Sequence, residues 1–364
     1  MTAYVDGAAV PLETAIAEAA RLLDAARLPL VAGLQTDVAG ARAAILLAEK
    51  LRGAYDHAAS DALLRDVGVL RQAGRMVTTA NDVRLRAETI LLVGPRLTAL
   101  WPELAERLAL KEPPRLGAEK ASRKIFWLGG EPGTAASVGA TEIAVPAGQL
   151  PQAVAALRAA VAGRKTRTGG ALAKSLTELA ETLKAAHFGA AVWSAESLDE
   201  LTIEALSGLV LDLNQKTRFT NLAFGPAQNA AGVLQTSGWM TGFPIRTGFG
   251  RGYPEHDVWR FDANRLVDTG EADAAVWISA YGATIPGWRR KVPFVALTKA
   301  GTTFPYPPKV QIEVGTPGQD HDAIEWAREI TTFATTPAKV AGDAPRVADV
   351  IGQISEHLKG NEAC

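Results

Sequence analysis

Short apolar runs that stop at glycine alternate along this chain with segments of helical spacing, and few folds accept that alternation. Residues 28–32 run into Gly33, residues 89–93 (TILLV) into Gly94-Pro95, and residues 124–128 (KIFWL) into Gly129-Gly130. Such runs are too short for buried helices and end where a chain can turn sharply, so they predict buried strands. Between them lie residues 12–26, with Ile16, Ala19, Ala20 and Leu23 on one helical face, and residues 40–52, with Ala44, Leu47, Ala48 and Leu51. A helix over 97–108, strands at 53–56 and 141–145 and a helix over 150–161 continue the series. Strand and helix in strict alternation predict an α/β protein with open parallel sheets covered on both faces.

The second half reuses this plan. A helix over 171–186 precedes a strand at 189–193, a helix over 198–213 follows, and further strands are expected at 274–278, 292–297 and 310–314. A helix is expected near 257–266, Pro305, Pro307 and Pro308 hold the later connection to turn or extended geometry, and amphipathic helices are expected over 320–333 and 346–358. The polar, glycine-terminated segment 164–170 (RKTRTGG) reads as a linker, which divides the chain into a first α/β domain, 1–165, and a second, 166–364. With 364 residues, each domain can bury a core.

Residues 214–254 break the pattern. Seven glycines (225, 232, 238, 242, 248, 250 and 252) are interleaved there with Arg218, Trp239, Phe243, Arg246, Phe249, Arg251 and Tyr253. Glycine permits positive φ and close backbone approach, and long loops in compact domains are usually functional or disordered. Few charges and many aromatics argue against disorder. The stretch is therefore expected to be an ordered loop layer built around a large polar ligand or a partner protein. Arg218, Arg246 and Arg251 are its candidate anion-binding residues, because guanidinium forks hold phosphates and carboxylates bidentately. The alternative pairs them with Glu255, Asp257 or a partner's acidic residues, and makes Trp239, Phe243 and Phe249 packing or interface anchors.

Charge and composition remove several function classes. A net charge of −1 gives no global field for nucleic acid or anionic membrane, and the short basic run 164–167 reads as solvated linker. No apolar run reaches the length of about 20 residues that spans a bilayer, and residues 1–15 lack the pattern of a signal peptide, so a cytoplasmic location is expected. One cysteine, Cys364, leaves no intrachain disulfide and no cysteine-ligated iron–sulfur cluster. The five histidines show no helical zinc spacing, and neither the dinucleotide glycine pattern nor a P-loop occurs. Residues 56–61 (DHAASD) bring Asp56, His57, Ser60 and Asp61 close in sequence. A nucleophilic triad is defined by spatial geometry, and helix capping by Ser60 or Asp61 accounts for the cluster equally well.

Six short segments carry a family resemblance. Residues 29–34 (PLVAGL), 47–50 (LAEK) and 55–60 (YDHAAS), with the motifs 217–219 (TRF), 241–244 (TGFP) and 251–254 (RGYP), resemble the B subunit of formylmethanofuran dehydrogenase. The likeness covers most of the chain and leans toward the bacterial formyltransferase/hydrolase branch of that family. It implies the two Rossmann-like domains of the molybdopterin oxidoreductase superfamily. The family's dehydrogenases hold a tungsten or molybdenum bis-pterin and a [4Fe–4S] cluster. The resemblance places Ala62 where those enzymes have the metal-ligating cysteine, after Ala59-Ser60, and Leu63 where they have a histidine. A methyl group ligates no metal. No cofactor, no metal and no catalysis are therefore expected in this chain.

What the resemblance implies instead is a structural subunit in methanofuran- and tetrahydromethanopterin-linked oxidation of formaldehyde to formate. Its expected partners are an amidohydrolase-like hydrolase subunit, a formyltransferase subunit and a further chain resembling the C subunit of the dehydrogenase. Two rivals stand beside this. One is a pterin-dependent tungsten or molybdenum oxidoreductase with Asp61 as an oxygen ligand. The other is the central domain type of thiamine-diphosphate enzymes, whose opening resembles residues 12–33 but which leaves 214–254 unexplained.

Overall fold

The structure is a computed structural model that describes residues 2–116, 122–164, 169–340 and 342–359. It contains two compact units, one made of residues 1–64, 228–326 and 333–364, the other of residues 65–227 and 327–332. These units do not coincide with the division at 165/166. The core of the first unit draws on strands from both ends of the chain. The linker behind the expected division lies largely outside the described residues, at 165–168, as does Cys364.

The first unit is built on a nine-stranded sheet. Its strands are β1 (Ala3–Val5), β2 (Ala8–Val10), β3 (Pro29–Gln35) and β4 (Ala54–Tyr55), then β10 (Thr247–Gly248), β11 (Glu255–His256), β12 (Ala274–Ser279), β13 (Phe294–Thr298) and β14 (Val310–Glu313). They lie in the order β11-β10-β4-β3-β12-β13-β14-β1-β2. The central five, β4 to β14, run parallel, and antiparallel ribbons extend both edges. β3, β12 and β13 are buried along their whole length, which is why they read as unbroken apolar runs. Successive side chains serve opposite faces. Val31, Val276 and Val295 meet the helices Leu12–Asp24, Val38–Lys50 and Val347–His357 on one side, while Leu30, Ala275 and Phe294 meet Phe261, Leu266 and Trp288 on the other.

β3 continues past its expected end at Gly33. Ala32 pairs with Trp277 but Gln35 pairs with Ser279, so one extra residue is accommodated on β3. Gly33 at φ 84° and Leu34 at φ 48° form this bulge. The edge ribbon β1–β2, not anticipated above, turns at Asp6 (φ 50°) and Gly7 (φ 79°). Asp-Gly is the dipeptide that a mirror-image hairpin turn selects.

In the second unit the strands are β5 (Thr89–Val93), β6 (Lys124–Leu128), β7 (Thr141–Ile143), β8 (Phe188–Trp193) and β9 (Arg218–Ala223). Their order is β7-β6-β5-β8-β9, all parallel, a doubly wound Rossmann-like sheet with its switch point between β5 and β8. Helices Leu150–Val161, Gly170–Lys184 and Glu200–Leu213 pack their apolar stripes on one face. The helix expected over 97–108 is two single turns, Leu97–Leu100 and Leu104–Arg107, parted at Pro102, whose ring cannot continue a helix.

Two further expectations change. Residues 320–333 form no helix. They run into a hairpin of β15 (Ala323–Ala327) and β16 (Thr332–Thr336), with Trp326 against Phe333 at 5.3 Å between ring centroids. The four threonines among residues 331–336, with Phe333 between them, and the alternation of Ile324 and Trp326 favour a pleated strand over a helix. The glycine-rich stretch carries more regular structure than a loop layer: β9, a helix Ala230–Thr241, and β10. Two of its glycines serve that helix directly. Gly232 leaves room for the Asn229 side chain, and Gly242 closes the helix at φ 78°.

Candidate functional site

The parallel sheet of the first unit delivers a polar cluster at the end of β4. Asp56 follows the last residue of β4, and its N–H still donates to Val31 O (3.0 Å). Ala58 N–H donates to Gly33 O, so the β3 bulge sets the course of the chain through residues 56–60. A tight turn then feeds the helix Ser60–Ala73. Within it, His57 N–H donates to Asp56 Oδ1 (2.8 Å), and the Ser60 hydroxyl donates to the same carboxylate oxygen.

This connectivity is not that of a nucleophilic triad. The Ser60 hydroxyl is spent on Asp56, and His57 Nδ1 accepts from Ala59 N–H (2.9 Å) instead of holding a carboxylate. An accepting Nδ1 puts the proton of neutral His57 on Nε2. That atom is buried and meets no hydrogen-bond partner among the described residues. Burial lowers the His57 pKa to about 4, so the ring is neutral at pH 7.

Arg246 sits at the centre of the cluster. It is 7% exposed and takes a left-handed backbone, φ 61°. Its Nε donates to Asp56 Oδ2 (3.3 Å), Nη1 to Val258 O (3.0 Å) and Nη2 to Asp61 Oδ1 (2.6 Å), while Nη2 also lies 2.5 Å from Asp262 Oδ2. The Arg246 carbonyl is engaged as well, accepting from Asp257 N–H (3.3 Å) and lying 2.9 Å from His256 Nδ1. Asp56 Oδ2 further accepts from Ala263 N–H (2.9 Å). Asp262 uses its other oxygen to cap the helix Ala263–Asp268 by accepting from Arg265 N–H (2.7 Å). Burial pushes Asp56 up to about 6, against the opposing pull of Arg246, Ser60 and Ala263, which leaves it ionised and paired at pH 7.

The three arginines of the candidate anion pocket thus have different situations. Arg246 is enclosed by carboxylates. Arg251 is exposed and pairs with Glu255 at 3.2 Å, the alternative considered from the sequence. Arg218 opens β9 in the other unit, exposed and in register with Phe188. Phe249 is core, stacked on Tyr55 at 6.0 Å, whereas Trp239 and Phe243 remain partly exposed. Asp56, Asp61 and Asp262 are the functional side chains that sequence reasoning did not connect to Arg246. They lie 190, 185 and 16 residues from it, and no local spacing signals any of these contacts.

The second unit has a crevice of about 490 Å³ at the carboxyl ends of β5, β6 and β7, where open α/β sheets bind ligands. Its lining includes Pro95, Pro132, Pro146 and Leu198 with Glu131 and Asp199, and no cationic side chain, so it does not suit a phosphate.

The donor set near residue 62 does not fit a tungsten or molybdenum centre. Asp61 Oδ1 is held by Arg246, Ala62 offers a methyl group, and Leu63 is buried apolar core. No group of three His, Cys, Asp or Glu side chains among the described residues is arranged to hold a metal ion.

Fold and cluster together define an α/β protein of two open-sheet units whose carboxylate-rich turn is closed by an arginine. No family model matches the chain. It is 35% identical over 365 residues to the B subunit of the formyltransferase/hydrolase complex Fhc of Methylorubrum extorquens, covering 98% of each chain. A chain in the crystal structure of that organism's formyltransferase/hydrolase complex FhcABCD with methylofuran superposes with a TM-score of 0.88, covering 97% of this chain and 98% of that one. The B subunit of tungsten-containing formylmethanofuran dehydrogenase 2 of Methanococcus maripaludis is 26% identical over 283 residues, and that of Methanocaldococcus jannaschii 27% over 280. Each match covers 74% of this chain and 64% of the relative. The chain belongs to the family of formyltransferase/hydrolase complex B subunits.

Proposed function

We propose that this chain serves as the B subunit of a formyltransferase/hydrolase complex and is a structural member of it, without a redox centre of its own. The observation that carries the reading is the end-to-end likeness, in sequence and in fold, to a subunit of such a complex. The donor set at residues 61–63 supports the loss of redox chemistry: the tungsten branch of the family needs soft ligands, and these positions supply a paired carboxylate and two hydrocarbon side chains.

In this reading the chain holds an amidohydrolase-like hydrolase subunit, a formyltransferase subunit and a chain resembling the dehydrogenase's C subunit in position. The assembly then carries formyl groups from tetrahydromethanopterin through a methanofuran-type carrier to formate, in the cytoplasm. No helix among the described residues is long and apolar enough to cross a membrane. Deleting this chain tests the proposal. The hydrolase and transferase subunits are expected to stop co-purifying, with loss of formate release. Hydrolase and transferase subunits that stay associated and fully active without it would refute the structural role.

A further inference from the structure

The crevice of about 490 Å³ in the second unit has a chemistry that the structural role leaves unused. It opens at the switch point, between the loops that follow β5 and β6 and the turn that leads from β8 into the helix Glu200–Leu213. Glycines let its walls close up. A Cβ on Gly94 would lie 2.6 Å from Leu198 Cδ2, and one on Gly129 would lie 2.7 Å from Leu150 Cδ1. Gly94 O accepts from Trp127 Nε1–H (2.8 Å) and Gly129 N–H donates to Ile143 O (3.0 Å), so both loops are tied down. Pro95, Pro132, Pro146 and Leu150 make the lining largely apolar. Its charged groups are of one sign. Glu131 and Asp199 are exposed carboxylates, and no salt bridge among the described residues reaches either. Asp199 spends one oxygen on Thr202 N–H (2.8 Å), so the start of the helix is satisfied from within and calls for no external anion. The Thr202 side chain also lines the crevice. It is fully buried, and its hydroxyl has no hydrogen-bond partner.

We propose that this crevice binds a small organic cation, an amidine, guanidine or amine carried on an apolar body. The apolar lining takes the body, the two carboxylates take the charge, and the Thr202 hydroxyl accepts one N–H. A buried hydroxyl left without a partner is costly, and a ligand that reaches it removes that cost. An anion would meet only like charge, because the lining holds no cationic side chain. A metal ion is not the occupant, since two carboxylates on separate loops do not make a metal site, and no group of three candidate ligands is arranged as one among the described residues. The volume falls within the range of about 300–1,000 Å³ that small-molecule sites occupy. The site lies wholly within the second unit, so its failure would leave the complex-subunit reading intact.

The test is calorimetric titration of benzamidine, a flat aryl amidinium, into the purified assembly and into the full chain alone, with neutral benzamide as the isosteric control. Benzamidine is expected to bind both with a Kd below about 1 mM, and benzamide at least about tenfold more weakly. Hydrogen exchange in the presence of benzamidine is expected to slow at residues 94–96, 129–133 and 197–202. Glu131→Gln and Asp199→Asn are each expected to weaken benzamidine by about fivefold or more. Asparagine caps a helix about as well as aspartate, so Asp199→Asn removes the charge and keeps the helix start. Thr202→Val keeps the shape of the side chain, removes the hydroxyl, and is expected to weaken binding severalfold. Equal binding of benzamidine and benzamide, or an affinity within twofold of wild type in both carboxylate variants, would overturn the proposal. Binding to the full chain but not to the assembly would mean that a partner subunit fills the crevice, and would overturn the small-molecule assignment.

Discussion

Asp56 and His57 are neighbours that burial pushes in opposite directions. Asp56 rises from 3.8 to about 6 and His57 falls from 6.5 to about 4. A raised carboxylate contributes stability that is fully present below pH 3.8 and lost as pH rises through about 6. A depressed histidine contributes stability that is present above pH 6.5 and lost as pH falls through about 4. Displacements of this size are worth about 3 kcal/mol each, so between pH 4 and 6 the two slopes nearly cancel. In wild type the two contributions offset each other across that range, so each variant is read as the difference of its urea-unfolding profile from that of wild type. In His57→Asn the Asp56 slope stands alone and stability falls as pH rises from 4 to 6. In Asp56→Asn the His57 slope stands alone and stability falls as pH drops from 6 to 4. Parallel profiles for the two variants would contradict the opposed burial of the pair. The sequence showed both residues in DHAASD but not their roles, because burial and partner choice are properties of the packed chain.

For single elements, the sheet of the first unit depends on a bulge that one glycine makes possible. A Cβ on Gly33 would lie 2.5 Å from Ile278 O and 3.0 Å from Ile278 N, both backbone atoms, at φ 84°. Neither strand can retreat cheaply, and the left-handed backbone disfavours any side chain. Gly33→Ala is expected to destabilise by about 3 kcal/mol or more, or to prevent folding, as measured by thermal or urea unfolding. Removing a helix cap is milder. Asp199 accepts from Thr202 N–H (2.8 Å) at the start of Glu200–Leu213, and Asp199→Ala is expected to cost about 1 kcal/mol. A neutral Gly33→Ala would mean the bulge is not required. Elements whose apolar period matched their final environment were legible. Residues 89–93, 124–128 and 150–161 form the elements expected of them, with the same bounds. Residues 320–333 failed because a segment rich in Thr and aromatics fits two periods at once, and pairing with a second strand selected the hairpin.

The prediction that belongs to the whole molecule is elemental. Tungsten, molybdenum and iron in the purified assembly are expected to be far below one atom per copy of this chain, while the chain co-purifies with its partner subunits. Stoichiometric tungsten or molybdenum in this chain would overturn the structural role. A single cysteine at position 364 already constrained this, since thiolate ligands cannot be improvised from other side chains. By itself, then, the sequence determined the α/β class, most strand and helix positions, the family, and the loss of soft metal ligands, because all of these are written in local period, composition or motif. Tertiary structure decided the rest: which distant strands share a sheet, that the glycine-rich stretch holds a helix between two strands, and that Arg246 meets Asp56, Asp61 and Asp262. Those outcomes arise from burial and from charge meeting charge across up to 190 residues of chain, and no local pattern of residues encodes that distance.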